Sequence, residues 1–263
     1  MTAITLAAKD RTFERLRLFN GVMALLHAVQ GAAMLLLSSD FALPVTTSFL
    51  ELDEASDRLV TVNNTLFDLR LGPVVASFLF ISAIAHLTLT LPGVYPWYVG
   101  NLKRGINYAR WHEYALSASV MMVVIAMLVG LYDLGALILI FALNATMIFF
   151  GLMMELHNQS TERVNWTSFM FGSIAGIVPW IVIGLFLVAP ATRSIGDVPT
   201  FVYGIYISIF IWFNAFAVNM FLQYRRVGPW RDYLFGERAY IILSLTAKSA
   251  LAWQVFAGTL RDV

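Results

Sequence analysis

Seven stretches of this chain are long and apolar enough to cross a bilayer as helices: residues 18–37, 73–91, 108–132, 134–156, 166–188, 201–224 and 238–260. A spanning helix needs roughly 20 apolar residues, because hydrocarbon offers no water to the backbone amides and the helix must satisfy them itself. Of the 263 residues 59% are hydrophobic and only 13% charged, with a mean hydropathy of +0.75, which excludes an ordinary soluble domain. These features predict an all-α, multi-pass cell-membrane protein, a seven-transmembrane helix bundle forming a single domain over residues 1–263 with the lipid bilayer around it.

The connections are short except for residues 38–72, whose Thr, Val and Phe mixed with acids and Asn suit a small β-hairpin outside the bilayer and a surface for a partner. Lys9, Arg11, Arg15, Arg17, Lys103, Arg104, Arg110, Arg163, Arg225, Arg226, Arg231 and Arg238 fall on the side of the N-terminus. Arg58, Arg70, Arg193 and Arg261 fall on the other. Positive charge stays inside, so the N-terminus is expected in the cytoplasm, and the C-terminus and the 38–72 loop outside. The first residues lack a short apolar core with a small-residue cleavage site, so insertion is expected to begin with the first span. There is no cysteine, hence no thiol chemistry and no thiolate metal site. A net charge of +1, with aromatics confined to apolar runs, excludes nucleic acid as a partner.

One lysine interrupts the seventh span. Lys248 sits at the middle of the apolar run 236–260. An ammonium at that depth costs at least ~2.5 kcal/mol on insertion scales, and the side chain is too deep to reach the headgroups. It needs either a partner or a chemical task, and a desolvated amine that can shed its proton is what imine formation with an aldehyde requires. Ser244, one turn earlier, shares its face. Glu113 is the acid well inside an apolar span, and at ~1.5 Å per residue it lies roughly 8 to 10 Å deep against roughly 15 Å for Lys248. The two can pair. Arg110, Glu113 and Ser117 make a polar stripe at i, i+3, i+7, in which Arg110 is either an interfacial anchor or part of the site.

His27 and His86 lie deep in the first two spans, with Ser82 one turn before His86, and together predict a hydrated polar pocket able to hold a proton. His112 points elsewhere and His157 reads as surface. Without HExxH or paired carboxylates no metal site is expected. Asn144 and Asn214, polar groups in apolar runs, are expected to hydrogen-bond between helices, and Gly151, Gly172 and Gly176 to allow close approach or leave room beside a flat ligand.

A Schiff-base-competent lysine in the seventh span and one carboxylate in the third resemble a microbial-type retinal protein. Over the whole chain the sequence is similar to the heliorhodopsins, at RWHEY around Glu113, at FGSIAGIVPW and PTFVYGIYIS in the fifth and sixth spans, and above all at GERAYIILSLTAKSALAWQ in the seventh. The inverted orientation of that family agrees with the charge distribution. The resemblance implies all-trans retinal on Lys248 as a protonated Schiff base, Glu113 as counterion, and Ser82 and Ser244 hydrogen-bonded near that pair. It further implies His27 and His86 lining the cytoplasmic-side cavity, Met147, Trp180 and Phe213 against the polyene or ring, Asn144 near the ring end, and a homodimer. Proton pumps of similar fold carry carboxylates where this chain has Ser244 and Val124, and both departures remove transport machinery. The expected function is a photoreceptor, not an enzyme, that moves a proton internally and is read by an unidentified cytoplasmic partner. The competing classes are a light-driven pump or channel, and a non-photochemical scaffold with a structural Lys248–Glu113 pair.

Overall fold

Apolar runs that can satisfy their amides only internally become helices, and the computed structural model, which describes residues 3–189 and 199–261, contains eight α-helices and one two-stranded sheet. They are α1 (Ala3–Leu37), β1 (Ala42–Asp53), β2 (Arg58–Arg70), α2 (Leu71–Thr88), α3 (Tyr95–Leu102), α4 (Tyr108–Leu128), α5 (Leu134–His157), α6 (Thr167–Val188), α7 (Thr200–Tyr224) and α8 (Tyr233–Val255). Seven of these, all but α3, are long and apolar enough to span a membrane. Arg193, counted above on the far side of the bilayer, lies outside the described residues.

Helix ends follow from local chemistry. The third span stops at Leu128 and not at residue 132, because Gly130 adopts φ +91° and the amides of Gly130 and Leu131 turn back to Met127 and Ala126. The seventh begins five residues early, where the Asp232 carboxylate accepts the Leu234 amide as an N-cap. That early start places Glu237 on the buried face of α8. The short helix α3, which the spanning-length criterion does not reveal, opens with Pro96 near its N-terminus and buries Tyr98 and Leu102.

The 38–72 connection does form a hairpin. β1 and β2 pair antiparallel, with a register shift between Val45 and Thr46. The root is fixed where Val45 is buried and the Thr46 amide donates to the Tyr132 carbonyl at 2.9 Å, while much of the hairpin beyond it is exposed. In the bundle α1 packs on α2, α2 on α4, α4 on α5, α5 on α6 and α7 on α8, and α8 returns to α1 and α2. Helix α4 is the central member: 67% of its most apolar stretch is buried, against 17% for α7. The half of the bundle next to the hairpin is filled by Met34, Leu79, Met122, Val124, Ile125 and Leu251.

Candidate functional site

The buried face of α8 runs Glu237, Tyr240, Ile241, Ser244, Ala247, Lys248 and Leu251, the spacing of one helical stripe. It faces the buried stripe Arg110, Glu113, Tyr114, Ser117 and Met121 of α4. Where the two meet, Lys248 Nζ lies 2.8 Å from Glu113 Oε1 and 2.8 Å from Ser244 Oγ, and the Ser82 hydroxyl of α2 donates to the same Glu113 oxygen at 2.6 Å. Their side chains are 3% and 6% exposed, so neither charge is relieved by solvent. Removing one member of such a pair costs about 3–5 kcal/mol, because the other charge stays buried and unmatched. Tyr114 supplies a π face 5.0 Å from Nζ and is held there by its hydroxyl, which donates to the Tyr240 carbonyl at 2.8 Å.

On one side of Lys248 opens an apolar cavity of about 210 Å³. Its walls include Tyr114, Met147, Trp180, Phe213 and Phe216, and Lys248 and Ser244 stand among them. Trp180 is fixed by edge contacts with Tyr206, Phe210 and Phe213. Glycines shape the wall that α6 presents. A Cβ on Gly176 would stand 2.8 Å from Met147 Cγ, and one on Gly172 3.0 Å from Phe150 Cβ, so these side chains lie directly over bare backbone.

On the other side the surroundings are polar. His86 Nδ1 lies 2.7 Å from Asn20 Oδ1, and its ring stacks on His27 at 5.8 Å with planes 9° apart. His27 is fully buried, and neither of its ring nitrogens meets a hydrogen-bond partner among the described residues. Deeper toward the start of α4 stands a second charged cluster. Arg110 contacts both Glu155 of α5 and Glu237 of α8. With its side chain 4% exposed, Arg110 is not an interfacial anchor; two carboxylates hold it within the bundle. Its guanidinium also lies over the rings of Trp111 and Tyr240, at 4.5 and 4.0 Å. Glu155 and Glu237 escape a hydropathy reading because each stands near the end of a span, where acids are ordinarily solvated. The available signal was Arg110 itself, a guanidinium one turn inside a span that required a counter-charge.

A sequence profile of the heliorhodopsin family matches residues 16–260 of the chain. The chain belongs to the heliorhodopsin family. It is therefore a retinal-binding, light-responsive rhodopsin and a multi-pass membrane protein. No curated protein matches it significantly.

The residues present fit retinal. A heliorhodopsin needs an apolar slot for a polyene, an amine at the slot, and a countercharge for that amine; the cavity, Lys248 and Glu113 have those properties. Of the residues singled out in the sequence, Met147, Trp180, Phe213, Ser244 and Lys248 line the cavity. Ser82 and Glu113 lie outside its lining and connect to it through Lys248, with which Glu113 pairs and which Ser82 reaches by way of Glu113. Asn144 does not reach the cavity wall: it is buried one helical turn away and donates to Ser119 of α4 at 3.0 Å. Asn214 bridges no helices among the described residues: it is exposed, donates to the Phe210 carbonyl of its own helix, and lines the cavity instead. His112 and His157 are exposed.

Proposed function

We propose that this heliorhodopsin is a light sensor in which Lys248 carries all-trans retinal, and light moves the amine's proton within the protein without carrying an ion across the membrane. Retinal, when bound, supplies an aldehyde that condenses with an amine and a polyene that isomerises on absorbing light. Among the described residues Lys248 is the buried amine, and its position at the apolar cavity within 2.8 Å of Glu113 is the observation that carries this reading. Trp180, Phe213 and Met147 would hold the chromophore and exclude water.

Glu113 Oε1 balances the charge at Nζ, and the Ser82 and Ser244 hydroxyls orient the two groups. After illumination the Nζ proton passes toward Glu113 and the polar groups beyond it, His86 and behind it His27, and later returns. Among the described residues the buried carboxylates, histidines, lysine and arginine are His27, His86, Arg110, Glu113, Glu155, Glu237 and Lys248, none of them in the packed core toward the hairpin, and Val124 and Ser244 stand where pumps of similar fold carry acids. A proton leaving that way would have no relay. The rearranged charge then persists on the side of the N-terminus, which we place in the cytoplasm from the distribution of Lys and Arg. A cytoplasmic partner of a homodimer of single-domain chains reads it, with no catalytic turnover.

The test is to load the purified protein with retinal, record its visible spectrum, and measure photocurrents in a voltage-clamped membrane. A visible band without current is expected. Sustained light-driven current would assign a pump or channel instead.

A further inference from the structure

The charged side chains buried among the described residues are Arg110, Glu113, Glu155, Glu237 and Lys248. Lys248 and Glu113 balance each other, which leaves the single guanidinium of Arg110 between two carboxylates. A carboxylate enclosed without compensation takes up a proton rather than stay charged.

The two acids are not equivalent. Glu155 accepts from Arg110 and the Tyr233 hydroxyl at one oxygen, and from the Asn107 amide at 2.9 Å and the Trp111 indole at 2.6 Å at the other. That shell solvates an anion and leaves little place for an acidic hydrogen. Among the described residues Glu237 meets only Arg110 and the Asn107 side-chain amide, the latter at 2.6 Å. It also lines a small cavity of about 30 Å³ whose walls include Glu113, which Glu155 does not reach. That volume is enough for about two waters.

We propose that Glu237 is the protonated carboxyl of the Arg110 cluster in the dark, and that its proton exchanges with the cavity it shares with Glu113. His86 and Tyr98, from α2 and α3, line the same cavity, and Tyr233 and Tyr240 of α8 lie against the cluster. Of these only His86 could supply the missing positive charge instead. It is paired with neither acid: its Nδ1–H is taken up by Asn20 Oδ1, whose own amide nitrogen donates to the Leu16 carbonyl, and among the described residues no carboxylate forms an ion pair with the ring, which stacks on His27. In the exchange the Glu237 O–H bond breaks and a cavity water carries the proton toward Nζ. The carboxylate left behind faces Arg110, and the proton first released from Nζ into the cavity restores it. This light-driven half rests on the internal proton movement proposed above; the dark protonation state does not.

The dark state is tested by infrared spectra of the whole protein, with and without retinal, comparing wild type with Glu237→Gln and Glu237→Asp. The carbonyl band of a neutral carboxyl should be lost in Glu237→Gln and return, shifted, in Glu237→Asp. Melting temperature should stay near wild type for Glu237→Gln, the isostere of a neutral acid. It should fall on the order of 10 °C for Glu155→Gln, which leaves Arg110 without an anion. If no neutral carboxyl band is lost, or Glu237→Gln melts as low as Glu155→Gln, Glu237 is ionised and the proposal fails. After a flash the same band should bleach transiently, and recovery of the visible band in Glu237→Gln should slow on the order of tenfold or more. An unchanged recovery overturns the exchange. Absence of any visible pigment would sink the photoreceptor reading instead, while the dark bands still decide Glu237.

Discussion

Replacing Lys248 by Ala or Arg should abolish the visible band of the retinal-loaded protein, because neither side chain can form the imine. Absorption spectra of both variants check this, and a coloured Lys248→Ala protein would end the assignment of the attachment site. The second expectation at this scale concerns Glu113. Its negative charge lies 2.8 Å from Nζ and stabilises a positive charge there, so acid that protonates Glu113 should shift the absorption of the pigment to the red. Glu113→Gln should either mimic that acid form or release the amine proton and move the band to the ultraviolet. A spectrum unchanged by both acid and substitution would identify another counterion. Much of this pair was legible in the sequence, since Lys248 and Glu113 interrupt apolar runs at compatible depths. The Arg110 cluster was not, because Glu155 and Glu237 look solvated until the helices are laid side by side.

Among the elements, α4 meets its neighbour α5 closely at a glycine. Gly151 faces the Trp111 ring so closely that an added Cβ would overlap it, and the Trp111 indole in turn donates to Glu155 at 2.6 Å. Gly151→Ala should therefore displace Trp111, loosen the Arg110 cluster and cost about 1–3 kcal/mol by overpacking. A lowered melting temperature is the expected result; an unchanged melting temperature would mean that the ring has room to move. The sequence pattern singled out this glycine as a point of close approach but could not say what approaches. The hairpin was foreseeable from the composition of residues 38–72, whereas its seat on the loop between α4 and α5 is a tertiary contact. Helix α3, with eight residues, is too short for periodicity or span length to reveal.

For the whole molecule the predictions concern the two sides of the membrane. A tag after Val263, which lies outside the described residues, should be reached by antibody on intact cells. Labelling only after permeabilisation would overturn the orientation argued from Lys and Arg. Removing Arg110 from that tally, now that it is buried, leaves the excess of basic residues on the N-terminal side intact. Light-induced pH changes in a cell suspension should likewise be absent, because among the described residues the buried carboxylates, histidines, lysine and arginine all belong to the Lys248–Glu113 site, the His27–His86 pair and the Arg110 cluster, and none stands in the packed core toward the hairpin to pass a proton on. A protonophore-sensitive pH change would instead indicate transport.

What the sequence determined by itself was everything that depends on transfer into hydrocarbon. Twenty-residue apolar runs must become helices, and a charge that interrupts one must be matched or used. That reasoning reaches the seven spans, Lys248, and Glu113 as its partner. What only the tertiary structure decided is which groups share a wall: Asn144 against Ser119 and not the cavity, His27 behind His86, and Glu237 across a small cavity from Glu113. Those relations depend on the rotation of each helix about its axis. Rotation is set by side-chain packing such as Trp111 against Gly151, and the weak amphipathicity of spans whose neighbours are as apolar as lipid leaves it unspecified in the linear pattern.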